Sequence, residues 1–84
     1  MPAKPEIFVY RGYRLDADGE KVAVLFEETG QQTFLLRKGR KFRGLMLFDF
    51  SSHQITFMND RGKTKTLGPE DKLTYYPPGT GPGL

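Results

Sequence analysis

The stretch LLRKGRKFRGLMLFDF, residues 35–50, decides how the chain is read. Five of the seven residues from Arg37 to Arg43 are basic and none is acidic. An apolar run follows at once. Within it Phe42, Gly44, Met46, Phe48 and Phe50 alternate with Arg43, Leu45, Leu47 and Asp49. Alternation with a period of two belongs to a β-strand. The spacing therefore predicts one long strand from Lys41 or Phe42 to Phe50. Both of its faces are apolar in the middle, so the strand is expected to be central or shared between two layers. Gly44, flanked by large residues, is expected to mark a bend or bulge that lets the strand curve.

Working outward, short apolar runs alternate with turn signals about every ten residues, the spacing of an all-β sandwich or small barrel. Upstream, strands are predicted over Ile7–Tyr13, Lys21–Phe26 and Thr33–Leu36, separated by DADGE with Gly19 and EETGQ with Gly30. Downstream, Gln54–Met58 and Lys63–Leu67 flank NDRGK, a hairpin signal in which Gly62 suits the left-handed position. A short seventh strand, Leu73–Tyr76, follows GPEDK, where Pro69 could open a single helical turn. No stretch has apolar residues at helical spacing over three turns. The reading is a small antiparallel β-sandwich or partly open barrel of six to seven strands over residues 6–76. A flexible Pro/Gly-rich tail is expected over residues 77–84.

Composition narrows the function classes. The chain has 84 residues and no cysteine, so neither a disulfide nor a thiolate metal site supplements a small core. Its lone histidine, His53, has no companion ligands at metal spacing, and no metal or other cofactor is expected. The net charge is +3, yet the five cations of residues 37–43 leave 8 basic and 10 acidic residues elsewhere. The positive excess is local, which argues against a uniformly basic nucleic-acid binder. No apolar run reaches signal-peptide or membrane length, so no direct membrane insertion by this segment is expected.

Residues that could carry chemistry are few. Ser51, Ser52 and His53 adjoin in a predicted turn, where neighbours rarely reach triad geometry. The carboxylate pairs Asp16–Asp18, Glu27–Glu28 and Glu70–Asp71 fall in turns, where hydration keeps a carboxyl from acting as a general acid. GTGPG near the end lacks the Lys-Ser/Thr and the helix of a phosphate loop. No catalytic residue is assigned. The cations Arg37, Lys38, Arg40, Lys41 and Arg43 around Gly39 have two readings. They attract a negative partner, whether phosphate, anionic lipid or an acidic protein surface. Or they form a charged turn that guards the edge of a strand. Phe26, Phe34, Phe42, Phe48 and Phe57 alternate with aliphatic residues as core does.

Taken as a line, YRGY after a first strand, then KVAVLF, LLRKGRKFRG and QITFMNDRGKTKTL resemble the periplasmic β-domain shared by the type IV pilus assembly protein PilP and the C protein of type II secretion. Gly39 and Gly44 stand where that domain has a G-x-x-x-x-G turn before its central strand. The resemblance covers residues 7–67. It implies a non-catalytic protein–protein module that links inner-membrane components to a secretin through the secretin's N-terminal domain. It places the chain in the periplasm if this is a domain excised from an anchored protein, and in the cytoplasm otherwise. Partner contact is expected at a strand edge, with Arg11, Arg14, Arg37, Lys38, Arg40, Lys41 and Arg43 as the contact residues. A second resemblance, to the Sm-like RNA-binding fold, rests on KGRKFRG followed by FD, and implies an RNA- or DNA-binding small barrel as the alternative.

Overall fold

The longest strand, β1 (Glu6–Leu15), is ten residues long and organises the first of two sheets. It pairs antiparallel with β2 (Lys21–Glu27), which pairs in turn with β3 (Gln32–Leu36). On its other side, residues 6–9 of β1 pair with β8 (Lys72–Tyr75), giving the order β3-β2-β1-β8. The second sheet runs β4 (Lys41–Phe42), β5 (Leu45–Phe50), β6 (Ile55–Met58) and β7 (Thr64–Leu67), in chain order and antiparallel throughout. These are the elements of a computed structural model that describes residues 4–77. No helix occurs among the described residues. The expected tail therefore lies, apart from Pro77, outside them.

Alternation puts one apolar face of each sheet against the other. Phe8 and Tyr10 from β1, Ala23 and Leu25 from β2 and Leu36 from β3 meet Phe42, Leu47, Ile55, Phe57 and Leu67 from the second sheet. Leu73 of β8 joins them, and Phe34, Leu45, Phe50 and Tyr75 pack at the rim. Each large apolar side chain so buried contributes about 1.5–3 kcal/mol. The ring of Phe8 sits edge-on to Phe42 and Phe34, with centroids 5.0 and 5.8 Å away. Tyr10 joins the sheets with a polar group as well. Its hydroxyl donates to the Ser51 carbonyl at 2.6 Å, and burial, reinforced by Tyr13, pushes the phenol up to about 12. The close approach fits the bulge in β1 between Tyr10 and Tyr13, where Gly12 has φ of 83°.

The all-β reading holds, with eight strands in two four-stranded sheets among the described residues. The expected fourth strand is in fact two. Phe42 pairs with Leu45, so Arg43 and Gly44 form a two-residue hairpin loop. Both have positive φ, 51° and 78°, as a type I′ turn needs. Gly44 thus reverses the chain where a bend was expected. The irregularity sits further on, between Leu47 and Asp49, and leaves Phe48 half exposed on the outer side. In the EETGQ hairpin the positive φ belongs to Gln31 (54°), not Gly30. GPEDK closes as a turn, with Asp71 N–H donating to the Gly68 carbonyl at 3.2 Å, and opens no helical turn at Pro69.

Candidate functional site

The basic segment is distributed along one edge of the second sheet and does not gather at a single turn. After β3 the chain turns at Gly39, whose φ is 86°, and Arg40 N–H donates to the Arg37 carbonyl at 3.1 Å. It then runs beside β5: Gly39 N–H donates to the Leu47 carbonyl at 2.8 Å, and Leu47 N–H to the Arg40 carbonyl at 2.9 Å. β4 and the Arg43–Gly44 turn follow.

Three of the five cations are engaged by carboxylates of the same chain. Arg37 bridges Asp16 and Glu20, the latter at 2.7 Å, and Asp16 holds its guanidinium above the ordinary range. Lys38 pairs with Asp49 at 3.0 Å, which lowers the Asp49 carboxyl. Both contacts are exposed enough for water to screen them. Arg43 is held more firmly. Its Nε and one terminal nitrogen donate to the two carboxylate oxygens of Glu6, at 2.6 and 3.1 Å. The guanidinium lies 4.9–5.9 Å from the ring centroids of Phe42, Phe34, Phe8 and Tyr75. That packing draws together β1, β3, β4 and β8. It also explains an arginine at positive φ, because tertiary contacts outweigh a local cost of about 1–2 kcal/mol.

The two roles of Arg43 separate by substitution. Arg43→Ala keeps the backbone strain and loses the guanidinium, leaving Glu6 unpaired. It is expected to cost about 2–3 kcal/mol in urea unfolding. Arg43→Gly loses the same contacts but relieves the turn, and is expected to cost about 1 kcal/mol less. Equal losses would contradict the strained-turn account.

Arg40 and Lys41 remain. Both are exposed and make no ion pair among the described residues. Lys41 borders an open groove of about 390 Å³, lined also by Gly44, Leu45, Met46, Met58, Asn59 and Asp60. Met46 and Met58 face each other across β5 and β6, and Lys41 stands beside Met46 across β4. The sequence reading missed these methionines. A continuous strand through Gly44 places Met46 with the core phenylalanines, whereas the hairpin turns it outward. The other two expected contact residues lie on β1. Arg11 stacks over Phe26 at 5.2 Å, and Arg14 is exposed opposite Val22. They belong to the first sheet, and no ion pair among the described residues joins them to Arg40 or Lys41.

Several other polar groups shape turns. His53 is exposed, and its backbone N–H donates to Ser51 Oγ at 3.2 Å, so that hydroxyl is bound to main chain. Asp16 accepts from the N–H groups of Asp18 and Glu20 at 2.8 and 2.9 Å, which lowers its carboxyl and shapes the first turn. Glu27 departs from the expectation of a hydrated turn carboxylate, being only 3% exposed. It accepts from the Thr29 hydroxyl (2.6 Å) and from the N–H groups of Ile7 (2.9 Å), Thr29 (2.9 Å) and Gly30 (2.5 Å). Those bonds, the Thr29 hydroxyl's foremost, pull it down to about 2. A general acid near neutrality needs the opposite shift. No group of three or more His, Asp or Glu side chains able to hold a metal occurs among the described residues.

Comparison with protein-family models, with curated proteins and with solved structures finds no match for the chain.

Proposed function

We propose that this domain is a non-catalytic docking module that captures an acidic segment of a protein partner along the β4 edge and its groove. The observation that carries the reading is the pair of free cations, Arg40 and Lys41, beside an open apolar groove with two methionines. Unbranched thioether side chains adapt to a partner's apolar residues, and lysine and arginine at the rim orient its carboxylates. The resemblance to the pilus and secretion β-domains supplies a partner class. In that setting the module links inner-membrane components to the N-terminal domain of a secretin, in the periplasm.

The test is titration calorimetry with that secretin domain. Arg40→Glu with Lys41→Glu is expected to weaken capture about tenfold or more, while Arg37→Gln, whose cation is already neutralised, changes it little. Unchanged affinity in the double variant removes the proposed edge. One observation favours the second reading, a small barrel that binds single-stranded RNA or DNA. Phe48 is 50% exposed in the strand that borders the Arg40 segment, an aromatic platform next to positive charge. That reading requires oligonucleotide affinity that falls steeply with salt.

A further inference from the structure

An edge strand exposes a row of unpaired backbone N–H and C=O groups, and proteins commonly discourage unwanted pairing there with charge, above all lysine, or with a bulge. The two sheets end in four such strands: β3 and β8 in the first, β4 and β7 in the second. Three of them carry a lysine: Lys41 in β4, Lys65 in β7 and Lys72 in β8. The half of β1 that extends past β8 is guarded as well, by Arg11, Arg14 and the bulge at Gly12. β3 alone has no such protection. Its sequence is Gln-Thr-Phe-Leu-Leu, without charge or proline, and its register with β2 runs unbroken from Gln32 to Leu36. Gln32, Thr33 and Leu35 are exposed, Leu35 to 45%. No turn or side chain among the described residues hydrogen-bonds to its free edge.

We infer that the β3 edge pairs with β3 of a second copy of this chain, antiparallel about a two-fold axis, joining the two first sheets into one eight-stranded sheet. The charge pattern selects the occupant. Two-fold pairing of β4, β7 or β8 would bring two lysines into one short ladder, where like charges oppose association. Two copies of β3 bring no charge together. With the axis at Phe34, Leu35 of each chain stands opposite Thr33 of the other on the outer face, an apolar and β-branched pair suited to a pleated surface. The contact is isologous, as a closed dimer requires. It does not involve Arg40 or Lys41, so it stands or falls apart from partner capture.

Sedimentation of the full chain over a range of concentrations tests the pairing. A monomer–dimer equilibrium is expected, with the dissociation constant raised about tenfold or more by Leu35→Lys, which gives β3 the guard its counterparts have. Thr33→Lys serves as the second variant, and an unchanged circular-dichroism spectrum shows that either still folds. Amide exchange should slow in β3 as concentration rises, and not in β7. A wild-type chain that stays monomeric up to about 1 mM overturns the proposal and leaves the edge to a strand of another protein. A dimer that survives both lysine variants overturns it as well.

Discussion

Phe57→Ala is expected to cost about 3–5 kcal/mol in urea unfolding, and Phe48→Ala less than about 1 kcal/mol. The two phenylalanines lie on adjacent strands, and local sequence does not distinguish them. Phe57 is 1% exposed and belongs to the cluster formed by Leu47, Ile55 and Phe8. Truncation there removes the ring's transfer free energy and leaves a cavity that two hydrogen-bonded sheets cannot close. Phe48 is half exposed because the irregularity between Leu47 and Asp49 makes it the residue without a cross-strand partner on β6. Its ring gives up little burial when cut back. A domain of this size has on the order of 5–10 kcal/mol to lose, so Phe57→Ala should lower the urea midpoint by about a third or more, whereas Phe48→Ala should leave it near the parent. Similar losses at both positions would mean that β5 is slipped by one residue, which would exchange its faces.

That contrast marks how far the sequence could be read. Alternation identified the all-β class, most strand positions and the core role of Phe57, because a period of two is a local property of the chain. The hairpin within residues 41–50 was not legible. Asn-Gly and Asp-Gly announce a type I′ turn because both residues tolerate positive φ, and Arg-Gly carries half of that signal. What holds Arg43 in place is Glu6, 37 residues earlier, with rings from β1, β3 and β8. A window of ten residues contains none of them. Reading through the turn placed Met46 and Phe48 inside and gathered five cations at one site. The charge cluster was legible as composition, but its neutralisation was not. Asp16, Glu20, Asp49 and Glu6 approach it from three other connections and strands. Of the five cations, Arg40 and Lys41 alone make no ion pair among the described residues. The absence of charge in β3, by contrast, is plain in the sequence, and acquires meaning only once the topology makes that strand an edge.

Glu27 is expected to govern the acid limb of stability. In the unfolded chain its carboxyl titrates near 4.5, and in the folded chain near 2, held down by four hydrogen bonds from Ile7, Thr29 and Gly30. Its contribution is therefore fully present above about pH 4.5. As the pH falls below that value the unfolded state takes up the proton first, and the contribution drains away towards pH 2. The lowered carboxyls of Asp16 and Asp49 act in the same direction, so a residual slope persists without Glu27. Glu27→Gln removes the titration but not the donors. One amide oxygen replaces two carboxylate oxygens, and the NH₂ group faces a backbone N–H. The variant should accordingly be much less stable than the parent at neutral pH, and its urea midpoint should fall less steeply under acid. Thr29→Ala should behave in between, since it takes away the donor that lowers the carboxyl most. Parallel pH profiles for the parent and Glu27→Gln would show that this carboxylate does not hold the β2–β3 turn onto the start of β1. The Ile7 N–H would then need another acceptor to fix the first strand, which pairs with both β2 and β8.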